Sequence, residues 1–126
     1  MAKLDGKKIL LVEDDLLMSQ MLGQKILEEK ATLDHAADGE IAMEFLKKNP
    51  YDVIILDLLL PKMDGFAVLE NMGKDENLKK IPVVVLSNLG QKKDVDRGLA
   101  LGAKKFLVKA ILSLDDVADA AAEVLK

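Results

Sequence analysis

Short, wholly apolar runs alternate along this chain with longer stretches in which apolar residues return every three or four positions. The runs at 9–12, 53–56 and 83–86 have no polar face, which suits strands buried on both sides in a helix-covered parallel sheet. Residues 32–36 and 106–108 predict two further strands. Helical spacing fills the gaps. Leu17, Met18, Met21, Leu22 and Ile26 mark one stripe, and Ile41, Ala42, Phe45 and Leu46 mark a second, with Asp38 as its N-cap. Phe66, Leu69 and Met72 predict a third helix, and Val95, Leu99 and Ala103 a fourth. Ser113-Leu114-Asp115-Asp116 has the form of a capping box, with Val117, Ala121, Val124 and Leu125 as the stripe behind it. Pro61 and Pro82 fall in connections, and no repeat or linker interrupts the alternation. Residues 1–126 therefore read as one α/β domain of (βα)5 type.

Composition narrows the function classes. The chain has no cysteine, which removes disulfide scaffolds, thiolate metal sites and cysteine nucleophiles and favours a reducing compartment, so a cytoplasmic protein is expected. Its 18 basic and 22 acidic residues are interspersed, giving a net charge of −4 and no basic stripe for nucleic acid. One Tyr, three Phe and no Trp leave no aromatic platform for stacking bases or a flavin. The apolar run nearest the N-terminus, 9–12, is too short for a signal-peptide core or a membrane span.

Ligands of open parallel sheets bind at the carboxyl ends of the strands, so the residues that follow each run carry the chemistry. Glu13-Asp14-Asp15 follow the first run, Asp57 the third, Ser87-Asn88 the fourth and Lys109 the fifth. Taken singly, Asp15 suits a helix N-cap, Ser87 a turn and Lys109 a solvated surface. Asp57 does not reduce to such a role. It lies inside the run VIILDLLL, where an ionised carboxylate costs several kcal/mol unless a cation or several donors satisfy it. Lys109 would serve, as would a metal held jointly with Glu13 and Asp14. The donors are all oxygen, which favours Mg²⁺ over zinc or copper. His35, the lone histidine, falls within the second strand and reads as a packing or surface residue.

The run VEDD at 12–15, IILDLLLPKMDG at 54–65, VVVLSN at 83–88 and FLVKA at 106–110, in that order and spacing, resemble the receiver domain of two-component response regulators over nearly the whole chain. The resemblance implies a flavodoxin-like sheet in strand order 2-1-3-4-5 with helices on both faces. It implies that Asp57 accepts a phosphoryl group from a phosphohistidine of a sensor histidine kinase or a histidine phosphotransfer protein. Glu13, Asp14, Asp57 and the backbone carbonyl of Leu59 would hold Mg²⁺, while Ser87 and Lys109 would contact the phosphoryl group. Ser87 and Phe106 match the switch positions that reshape the surface around the fourth helix, fifth strand and fifth helix. Elementary chemistry agrees, because phosphoryl transfer needs in-line positioning and neutralisation of the equatorial oxygens.

The sequence also departs from the family pattern. Lys109 is followed by Ala110 where the family places a proline after a cis bond, and a cis bond before a non-proline costs about 2.5–4 kcal/mol. The loop to Ser113 is one residue longer, which predicts an all-trans path. Phe106 has no hydroxyl, so its coupling to Ser87 must work through packing. By the resemblance, the residues two beyond the acceptor and two beyond the hydroxyl border the path of an attacking water, and leucine at both, Leu59 and Leu89, predicts a long-lived phosphorylated form. The fifth helix is alanine-rich without arginine, so a monomer or weak dimer is expected. The chain ends at that helix, so no output domain is expected, nor any nucleic-acid or membrane binding. Two rival readings remain at this stage. A pseudo-receiver would bind partners without chemistry, and a haloacid-dehalogenase-like phosphohydrolase would need a second Asp where Leu59 stands.

Overall fold

The computed structural model describes residues 2–126. Five parallel strands, β1 (Lys8–Val12), β2 (Thr32–Ala36), β3 (Val53–Leu56), β4 (Val83–Ser87) and β5 (Lys105–Val108), form one sheet in the order β2-β1-β3-β4-β5. The helices are α1 (Leu16–Glu28), α2 (Gly39–Lys48), α3 (Gly65–Gly73), α4 (Lys92–Ala100) and α5 (Leu114–Val124). Short 3-10 turns occupy Leu78–Lys80 and Lys109–Ile111. The expected flavodoxin-like α/β architecture is the one observed.

Strand alternation sorts the core into two layers. Leu10, Val12, Ile54, Leu56 and Val85 face one side and pack with Leu46, Leu69 and Met72 of α2 and α3. Ile9, Leu11, Val53, Ile55 and Val84 face the other, against Leu22 and Ile26 of α1 and Val117 and Ala121 of α5. The wholly apolar runs are thus the three inner strands, covered on both faces.

The caps follow the local sequence. Asp15 Oδ1 accepts from the Met18 N–H at 2.9 Å and Asp38 Oδ1 from the Ile41 N–H at 2.8 Å. Ser113 and Asp116 close the reciprocal capping box of α5. Asp64 caps α3 through the Ala67 N–H at 2.9 Å, a role its position before Gly65 conceals.

Two predicted stripes need correction. In α1 the apolar residues Leu17 and Met21 are 66% and 42% exposed, while Ser19 and Gly23 turn inward beside Leu22 and Ile26. The small pair lets the helix lie close to the sheet, and the Ser19 hydroxyl is satisfied by the Leu16 carbonyl at 2.9 Å. In the fourth helix Leu99 is 44% exposed, and Ala103 lies beyond the helix end, past Gly102 at φ 114°. Gly98 is the buried residue of α4. The expected trans path after β5 is present. No cis peptide bond occurs among the described residues, and the turn Lys109–Ile111 takes up the added residue.

Candidate functional site

Sheet register brings the chemistry to one edge. Val12 pairs with Leu56, Leu56 with Val85 and Ser87 with Val108, so the residues leaving β1, β3, β4 and β5 emerge side by side. Glu13 and Asp57 follow Val12 and Leu56 directly, and their N–H groups extend the ladders to the Ala36 and Val12 carbonyls at 3.0 Å each. Gly65 lets α3 start close beneath the acidic edge, since a Cβ there would run into the Asp57 carbonyl and Leu58.

Asp57 is 5% exposed and Glu13 1%. Lys109 supplies the cation that the sequence demanded, with Nζ 2.7 Å from Asp57 Oδ2 and 2.5 Å from Glu13 Oε1. The remaining oxygens are also occupied. Asp57 Oδ1 accepts from the Leu59 N–H at 3.2 Å and Glu13 Oε2 from the Asp15 N–H at 3.1 Å. Lys109 is therefore no solvated surface lysine, and Glu13 beside it is fully buried.

Burial and pairing oppose each other in these groups. For Glu13, burial raises the pKa and the nearby Asp57 charge adds to it, while Lys109 and the Asp15 N–H pull it back; the net shift is upward. For Lys109, burial lowers the pKa, but hydrogen bonds to Asp57 and Glu13 overcome it and leave the ammonium above its ordinary value.

Asp14 is exposed beside this pair, and one ligand oxygen from each of Glu13, Asp14 and Asp57 lies within 4.8 Å of the others. Three hard oxygen donors at that spacing fit Mg²⁺ or Mn²⁺. Ser87 is fully buried at the end of β4, and its Oγ accepts from the Leu89 N–H at 3.3 Å. Phe106 lies on β5 opposite Val85, half-buried against the same core as Leu89.

One contributor escaped the sequence reading. His35 Nε2 lies 2.7 Å from the Glu13 carbonyl oxygen, so the surface histidine braces the backbone of the acidic run. Only its place at the end of an edge strand next to β1 hints at that role.

Comparison with known proteins agrees with the geometry. Residues 9–122 match the family model described as response regulator receiver domain. A gliding motility regulatory protein of Myxococcus xanthus is 34% identical over 113 residues, 90% of this chain and 14% of that protein. The chain spans less than half the length of the first curated relatives it matches. Among solved structures, the chemotaxis protein CheY4 of Vibrio cholerae is 28% identical, with a TM-score of 0.88 over 95% of this chain and 99% of that one. The Mn(2+)-bound form of the response regulator Rcp1 is 32% identical, with a TM-score of 0.80 over 94% and 91% of the two chains. No helix among the described residues is long and apolar enough to cross a membrane. With its four strand-end motifs converging on one acidic edge and its fold matched to these relatives, the chain belongs to the receiver domains of two-component response regulators, the switch module of phosphorelay signalling.

Proposed function

We propose that Asp57 is the phosphoacceptor of this receiver domain and that residues 1–126 act as one switching unit. The observation that carries the reading is a buried carboxylate held by a lysine, with two further acids in reach of the same cation. Receiver domains bind Mg²⁺ at an acidic pocket, and Glu13, Asp14, Asp57 and the Leu59 carbonyl are the ligands assigned here. The ion supplies charge neutralisation on the transferring phosphoryl group.

The chain's own residues do the rest. A carboxylate oxygen of Asp57 forms the new O–P bond as the P–N bond of a phosphohistidine breaks and the electron pair leaves with the imidazole. Lys109 moves its ammonium onto a phosphoryl oxygen, and the Ser87 hydroxyl turns from the Leu89 N–H to donate to another. Phe106 then repacks, and the surface formed by α4, β5 and α5 changes. The donor is a sensor histidine kinase or a histidine phosphotransfer protein in the cytoplasm, and the receiver of the changed surface is a downstream protein. The domain promotes its own phosphorylation and slow dephosphorylation without turning over as an enzyme.

Incubation with acetyl phosphate and Mg²⁺, read by intact-mass spectrometry, tests this. One phosphoryl group, about 80 daltons, is expected on the wild type and not on Asp57→Asn or in the presence of EDTA. A full mass gain on Asp57→Asn would move the acceptor elsewhere.

A further inference from the structure

Helix α4 touches the body through a narrow contact. Gly98 is its buried residue, and Gln91 at its N-cap position makes no side-chain cap bond. The Phe106 ring lies against Gly98, leaving tight room for a side chain there. A Cβ built on Gly98 would stand 3.0 Å from Phe106 Cδ2 and 3.2 Å from Cε2, closer than side chains pack without giving way. Arg97 secures the same stretch from outside, its guanidinium 4.1 Å from the Phe66 ring centroid and 3.5 Å from Glu70 Oε1.

This contact accompanies a site whose own groups hold one another. Ser87 Oγ is engaged by the Leu89 N–H, and Lys109 by both carboxylates. Leu89, whose N–H donates to Ser87, and Phe106 are both partly buried against one core. With no side chain at Gly98 the ring keeps its present place without the few tenths of an ångström of movement that a Cβ would force.

We propose that Gly98 is a positioning residue of the switch: its missing Cβ is the notch that holds Phe106 in the unphosphorylated arrangement and so sets how far the resting state is favoured. The inference rests on the reading of Asp57 and Phe106 given above. A methyl group at Gly98 penalises the arrangement that contains the contact and leaves untouched any arrangement in which the ring has left. Gly98→Ala therefore shifts the population toward the state that a phosphoryl mimic selects.

The test is beryllofluoride binding with Mg²⁺ to the whole chain, followed by the ¹⁹F signal of bound beryllofluoride. It is combined with 4-fluorophenylalanine labelling of the three phenylalanines, Phe106 being assigned by its substitution. Gly98→Ala is expected to tighten binding by about two- to tenfold, the range of a displaced aromatic rotamer, and to move the resting Phe106 signal toward its beryllofluoride-bound position. In a Phe106→Ala background the same change should leave affinity unaltered, because the ring that meets the methyl is gone. A merely structural glycine would shift the melting temperature and not this difference between backgrounds. Equal affinity in Gly98→Ala and wild type, or an equal shift with and without the ring, overturns the proposal. A wild type that binds no beryllofluoride at Asp57 overturns the functional reading first, and this inference with it.

Discussion

Replacing Lys109 by methionine isolates what one ammonium does for two buried carboxylates. Methionine keeps most of the stem that lines the cleft between α1 and α5 beside Met18 and Leu112, so the change removes charge rather than packing. In the wild type Lys109 bonds both Asp57 and Glu13, whose side chains are 6% and 1% exposed. Breaking a buried pair by removing one partner costs about 3–5 kcal/mol, because the remaining charge is left uncompensated. For a chain of this size that lowers the melting temperature by roughly 10–20 °C.

The pH dependence has a definite sign. The Lys109 pKa is raised in the folded protein, so its stabilisation is complete below the ordinary lysine value, about 10.4, and is lost as pH climbs through the folded one. The wild type should weaken on that alkaline side, while Lys109→Met should show no such loss. Glu13 has a raised pKa that Lys109 now restrains; without the lysine it moves further up, so the folded variant regains stability as pH falls and Glu13 takes a proton. Mg²⁺ should also narrow the gap, supplying about 2.7 kcal/mol at a hundredfold excess over its Kd. Urea denaturation across the pH range, in metal-free buffer and with Mg²⁺ added, measures all three effects. A loss under about 1 kcal/mol at neutral pH, or a larger one that neither acid nor Mg²⁺ relieves, would refute the charge argument.

Two further outcomes follow from particular positions. Leu59 and Leu89 line one groove that opens onto Asp14, so Leu59→Asn with Leu89→Glu should let polar groups orient an attacking water and speed loss of the phosphoryl group roughly tenfold, read as decay after donor removal; unchanged decay would exclude that path. Lys30 ends α1 at φ 65° while its N–H bonds the Leu27 carbonyl at 3.0 Å, so Lys30→Gly should stabilise the protein by about 0.5–1 kcal/mol, seen as a higher urea midpoint at constant slope.

Much of this was legible because the inner strands are buried on both faces and so read as unbroken apolar runs. The carboxylate at Asp57 was legible for the same reason, standing charged inside an apolar run. Helix orientation was harder to read. In α1 the inward face carries Ser19 and Gly23, and in α4 it carries Gly98, so the larger residues Leu17, Met21 and Leu99 misdirect a stripe drawn by hydrophobicity alone. Distances between elements have no local signal at all. That Lys109 bridges two acids, that His35 braces Glu13 and that Phe106 lies against Gly98 depend on strand order and register rather than on any single stretch of chain.

The charge count at the site also orders its events. Three carboxylates and one ammonium leave a balance of two negative charges when all are ionised, the amount one divalent cation cancels. An incoming phosphoryl group carries close to two further negative charges at neutral pH. Without the metal it would meet like charge in a poorly solvated pocket, where repulsion is strongest. Lys109 cannot offset this alone, because its ammonium is already shared between Glu13 and Asp57. Were Glu13 and Asp57 to hold a divalent ion, the Lys109 ammonium would be free to turn toward the new phosphoryl group, so one lysine would serve first as the clasp of the two acids and then as a ligand of the product. On the proposed reading, such a site would resist phosphoryl donors until the ion had bound, with Lys109 keeping the acids paired meanwhile.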